Sequence, residues 1–138
     1  MARALILVAL ALVTLAPACS QAEIEGGLDE IAAGAQRAYD DLVAGVDDLV
    51  DGLDDESRAA VEEARATAEE ARTALQDFAA NPNDETRSAL REAEARLEDA
   101  RRGVENLDVP DGVRVAFDRV VDALGALRQE IRRAIDQA

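Results

Sequence analysis

Three features of this 138-residue chain predict an all-α fold, an up-and-down antiparallel bundle of three to four amphipathic helices with coiled-coil-like packing, preceded by a signal-peptide helix. Apolar residues recur at steps of three and four, the spacing of one helix face, and strand-type alternation is absent. Aromatic residues number only three, Tyr39, Phe78 and Phe117, so any core is built from Leu, Val, Ile and Ala, which suits helices packed closely side by side. Pro- and Gly-containing breaks fall between the periodic stretches, and connections this short force successive helices to run antiparallel.

The first eighteen residues form the leader. Arg3 is followed by an uncharged run from Ala4 to Ala18, which ends Ala16-Pro17-Ala18 before Cys19. A short basic n-region, an apolar stretch and small residues at the cut are the tripartite pattern of an export signal. The apolar run is about fifteen residues where a spanning helix needs roughly twenty, so cleavage between Ala18 and Cys19 is expected rather than a permanent span. The domain organisation expected is a signal peptide at 1–18, a tether at 19–22 and an acidic helical bundle at 23–138.

Around Ala18-Cys19 the chain resembles the precursors of bacterial lipoproteins, in which a small residue precedes a cysteine that is lipidated and becomes the mature N-terminus. The resemblance covers the leader alone. It implies a chain anchored to a bacterial membrane through acyl groups, palmitate among them, on Cys19. Cys19 is the one cysteine in the chain and sits at the one position where lipidation requires it. A lone free thiol in an oxidising compartment would otherwise invite intermolecular pairing. Two acyl chains, at about 0.8 kcal/mol per buried methylene, anchor stably where one does not. The alternative is that Ala16-Pro17-Ala18 is an ordinary secretory site and the protein is freely secreted.

The helices follow in order. In the first, Ile24, Leu28, Ile31, Ala35, Ala38 and Leu42 form a stripe that continues, after a one-residue slip, through Val46, Leu49 and Leu53. Gly52 is expected to end it and Asp54 or Asp55 to cap the next, although no Pro between Gly26 and Asn81 forbids one continuous helix. Gly34, Gly45 and Gly52 each cost about 1 kcal/mol relative to Ala, which favours the break and a helix held by packing. The second helix, from about Glu56 to Ala79, places Val61, Ala64, Ala68, Ala71, Leu75 and Phe78 on one seam. Its Ala residues leave little bulk and predict a close approach to a partner. Pro82 then stops the chain, with Asn83 or Asp84 positioned as the next cap. Leu90, Ala93, Leu97, Ala100, Val104 and Leu107 mark the third helix. After a break at Asp108–Gly112, the fourth buries Val113, Phe117, Val120, Leu124, Leu127, Ile131 and Ala134. Glu92 with Arg96, Glu98 with Arg102, and Arg132 with Asp136 are spaced for ion pairing along a helix.

Charge is distributed unevenly. The chain carries 30 acidic and 15 basic groups, a net of -15, and the segment from Ala22 to Glu56 holds twelve acids against Arg37 alone. Such a surface repels nucleic acid. Within this pole Asp40-Asp41-Leu42-Val43-Ala44-Gly45 recurs seven residues later as Asp47-Asp48-Leu49-Val50-Asp51-Gly52. Clustered carboxylates favour hard cations, but Leu49 falls where an EF-hand loop starting at Asp47 needs its second ligand. A solvated face is the expected role. Glu23, Glu25, Asp29 and Glu30 lie just beyond the tether, where an anionic leaflet would repel them, so an anchored bundle is expected to stand away from the bilayer.

Catalytic chemistry has little to draw on. The chain has no His, no Lys and no second Cys, which removes the usual general base, Schiff-base amine and thiolate. No catalytic residue, metal site or cofactor is therefore expected. The function expected is that of a non-enzymatic, lipid-anchored extracytoplasmic protein with a structural or protein-interaction role in the bacterial cell envelope, meeting an envelope protein or a second copy through its helix faces. The alternative is a secreted lipid or amphiphile carrier or a cation-buffering surface protein.

Overall fold

A computed structural model describes the backbone of residues 16–137 and the side chains of residues 27–137. Four α-helices, α1 (Ala16–Val50), α2 (Asp55–Ala80), α3 (Asp84–Glu105) and α4 (Arg114–Gln137), follow one another, with a short 3-10 turn (Asp111–Val113) leading into α4. Among the described residues there is no strand. The predicted cut after Ala18 falls in the part of α1 for which only the backbone is described.

Neighbouring helices run antiparallel. Along α1 and the turn that follows it, Gly27, Gly34, Gly45 and Gly52 lie against Gln137, Glu130, Val120 and Val113 in turn, so α4 descends as α1 rises. Arg72 donates to Gln36 at 3.4 Å and Arg58 to the carbonyl of Val50, which sets α2 against α1 in the same opposed sense. Arg96 pairs with Glu70 between α3 and α2, and Arg132 with Glu94 between α4 and α3. The result is a four-membered ring, each helix flanked by its sequence neighbours and α1 closed onto α4. Across the ring α2 approaches α4 more closely than α1 approaches α3. The cause is on α2, where Ala64, Ala68 and Ala71 are buried and interpose only methyl groups.

The expected core residues are buried as a set: Leu28, Ile31, Leu42, Val46 and Leu49 on α1, the whole seam from Val61 to Phe78 on α2, Leu90, Leu97 and Val104 on α3, and Phe117 through Ala134 on α4. Ile24 lies outside the residues whose side chains are described. Three positions depart from expectation. Val113 is only half-buried because it sits in the 3-10 turn, ahead of α4. Ala100 is half-buried too, and α3 ends at Glu105, which leaves Leu107 half-buried beyond its last turn. Val109, in the loop, is buried and closes that end of the bundle with Leu53.

The junction between α1 and α2 is a break. Asp54 takes an extended conformation and its carboxylate accepts the Ser57 N–H at 2.7 Å, one of the donors that a helix start leaves unpaired. That bond holds the Asp54 carboxyl below its ordinary range. The chain turns on two i to i-3 bonds, from Gly52 N–H to Leu49 and from Leu53 N–H to Val50. Gly52 does not take the left-handed conformation usual for a helix-ending glycine, since no glycine among the described residues has a positive φ. It is required by proximity instead: a Cβ there would overlap a methyl of Val113. At the next turn Asn83, not Asp84, is the cap, in a reciprocal capping box with Thr86.

Glycines without neighbours give a direct contrast. Gly103, exposed on α3, has nothing within 4 Å of the place its Cβ would occupy. Gly103→Ala is therefore expected to raise the unfolding free energy by roughly 0.5–1 kcal/mol through helix propensity and reduced unfolded-state entropy. Urea denaturation checks it, and a loss of stability would show that this face of α3 is covered.

Candidate functional site

The seven-residue repeat in α1 has a structural explanation. Leu42 and Leu49 enter the core, Gly45 meets α4, Gly52 meets Val113 in the 3-10 turn before it, and Asp40, Asp41, Asp47 and Asp48 face solvent. At Gly45 a Cβ would stand 3.0 Å from Val120 Cγ2 and 3.5 Å from the Ala116 carbonyl, so the two helices are closer here than larger residues would permit. One of the outward carboxylates, Asp48, reaches Arg119 of α4 at 4.0 Å. Among the described residues no three acidic groups converge into a possible metal site, because a helix surface spreads its carboxylates along the axis.

Beside this close contact lies an open groove of about 720 Å³ between α1 and α4. Its floor is small and apolar, with Ala38, Ala116 and Ala123, while Asp41 and Asp48 on one wall and Asp118 and Asp122 on the other supply an acidic rim. Arg119 is the basic residue in the lining. Val115 stands at the edge with 85% of its surface exposed, the one large hydrophobic residue so placed among the described residues. Its exposure was legible as a phase error: two places before Phe117, it falls off the buried stripe of α4. A second open groove, of about 650 Å³, follows the α2–α3 seam past Glu69, Thr73, Asp77 and Glu85. It is floored by Ala66, Ala74 and Ala89 and lacks an exposed large apolar side chain.

The α3–α4 flank carries an ion-pair network that sequence spacing found only in part. Glu92 pairs with Arg96 at 2.9 Å and Glu98 with Arg102 at 3.3 Å, as expected. Arg132 reaches between helices to Glu94 at 3.3 Å, in place of the expected partner Asp136 one turn along. Glu98 is the hub, held by Arg101 at 2.9 Å and by Arg128 of α4 at 3.2 Å. Hydrogen bonding from Arg101, opposed by burial and aided by the charges of Arg101, Arg128 and Arg102, lowers the Glu98 carboxyl to about 2 from an ordinary 4.5. A depressed carboxyl adds stability that is present above the unfolded value and lost as pH falls from there towards the folded value. The excess stability of the wild type over Glu98→Gln is thus expected to hold above about pH 4.5 and vanish between there and about pH 2. Thermal melts of both proteins across that window test it; a difference independent of pH would assign the loss to packing.

Tyr39, off the predicted stripe, is buried with the Arg72 guanidinium 4.2 Å above its ring, a cation–π contact that fastens α2 to α1. Spacing along one helix carries no trace of such a partner on another.

Cys19, the predicted lipidation site, and Ala18, its predicted cleavage partner, lie on the part of α1 whose side chains are outside the described residues. Since Gly27 is level with Gln137, α1 residues earlier in sequence extend from the end of the bundle where α4 finishes and α2 turns into α3. No described helix is long and apolar enough to cross a membrane. Compared with protein-family models, curated proteins and solved structures, the chain matches none.

Proposed function

We propose that this protein is a lipid-anchored, extracytoplasmic interaction module of a bacterial envelope, tethered through acylated Cys19 and presenting its helix faces to another envelope protein. The observation that carries the reading is the leader, in which an uncharged run of about fifteen residues ends at Ala18 and the chain's one cysteine. The composition supports a non-enzymatic role, because the side chains that most often act as base or nucleophile are missing.

The bundle suits display. With Cys19 in the membrane, the proximal end carries the α2–α3 turn and the C-terminus of α4, including Asp84, Glu85 and Asp136, which an anionic leaflet repels. The distal end carries the α1–α2 and α3–α4 connections. At about 1.5 Å per residue, Asp41 and Asp48 stand roughly 33 and 43 Å along α1 from Cys19. The carrier alternative gains little from the architecture, since the large side chains of the seams are fully buried and the two grooves described are open to solvent.

Fractionation of bacteria expressing the chain tests the anchor. Wild type is expected in the membrane fraction, extractable only by detergent, and Cys19→Ala in the soluble fraction or as uncut precursor. Wild type found wholly in the medium would overturn the proposal.

A further inference from the structure

The geometry points to the α1–α4 groove as a docking site for a basic amphipathic helix of a partner protein, with an apolar side chain of the partner covering Val115 and its Lys or Arg residues meeting the acidic rim. The inference deepens the interaction-module reading and rests on it. An exposed valine alone is ordinary, and so is a row of aspartates on an acidic protein. Here they share one concave surface: Val115 is 85% exposed at the edge of a groove whose walls carry Asp41 and Asp48 from α1 and Asp118 and Asp122 from α4.

Size and charge select the occupant. The lining runs from Gly112, in the 3-10 turn, along α4 to Ala126, about 21 Å at the helical rise, which matches a partner helix of about fourteen residues. Helix-in-groove recognition needs apolar anchors at three- and four-residue steps and charges beside them of sign opposite to the rim. A second copy of this chain is disfavoured, because the same groove would bring four carboxylates against four. An anionic lipid surface is repelled for the same reason. Arg119 gives no comparable attraction, being drawn to Asp48 at 4.0 Å. On an anchored chain the groove also lies in the membrane-distal half of the bundle, within reach of a partner.

The test uses the full-length chain in nonionic detergent and a fluorescein-labelled fourteen-residue model helix with Leu on one face and Lys on the other. A second helix, with Glu in place of Lys, is the control. Fluorescence anisotropy is expected to show saturable binding of the Lys helix and none of the Glu helix. Val115→Ser, and separately Asp118→Asn with Asp122→Asn, are each expected to weaken binding at least tenfold. Glu69→Gln with Glu85→Gln, the same charge change in the α2–α3 groove, is expected to change it less than twofold. All of these positions are exposed, so circular dichroism should find each variant folded. Equal losses from the two paired variants would reveal bulk attraction and overturn the site. So would absence of binding, or self-association of the chain that Val115→Ser abolishes. Since this measurement does not depend on acylation, failure here with Cys19 found lipidated removes the groove alone, and binding with Cys19 unmodified removes the anchor alone.

Discussion

Phe78→Ala is expected to lower the unfolding free energy by about 3–5 kcal/mol, the largest loss from any single truncation in this bundle. Phe78 is fully buried at the end of α2, where the chain turns towards α3. It is also the largest of the completely enclosed side chains, since the other two aromatic residues of the core, Tyr39 and Phe117, keep a little exposure. Removing the ring forfeits its transfer from water and leaves a cavity that capped helix ends cannot easily collapse around, since Asn81 and Asn83 fix the turn beside it. Against a total stability of about 5–15 kcal/mol for a domain, such a loss threatens folding at ambient temperature. Urea titration followed by circular dichroism measures it. A change below about 1 kcal/mol would mean that Phe78 is not enclosed and that the α2 register is wrong.

Ala68→Leu is expected to destabilise by about 1–3 kcal/mol in the opposite way, through excess volume. Ala68 is fully buried midway along the Ala seam that lets α2 approach α4 across the bundle, and three added carbons have no space there unless the helices separate. Ala66, two residues earlier, is exposed, so Ala66→Leu adds the same volume to the surface and should change stability by less than about 0.5 kcal/mol. Comparable melting temperatures for the two variants would contradict the proposed close approach.

The fold was largely legible because each helix writes its own buried face into its spacing. The steps from Val61 to Phe78 needed no partner to be read, and every residue on them is buried. Caps were legible to within one residue, since Asp54 and Asp55, or Asn83 and Asp84, offer similar oxygens and only backbone geometry chooses between them. Relations between helices were less visible. Gly34, Gly45 and Gly52 read as propensity costs, whereas the first two admit Glu130 and Val120 of α4 and Gly52 admits Val113 in the 3-10 turn before it, a match that depends on the alignment of segments far apart in the chain. Arg132 was assigned to its own helix for the same reason, while Glu94 on α3 holds it. The acidic repeat was read as a solvated face, and its carboxylates do face solvent. Its heptad spacing also serves the α1–α4 contact through Gly45 and, one heptad on, the approach of Val113 through Gly52. Val115 became meaningful only once α1 supplied the other wall of the groove.

The anchor rests on chemistry at one residue, and intact mass determination on the protein from the membrane fraction tests it most directly. Lipidation at Cys19 predicts a mature chain that begins there and is heavier than its sequence by the mass of more than one acyl group. An unmodified chain beginning at Cys19, or a membrane-bound chain that still carries its leader, would contradict it.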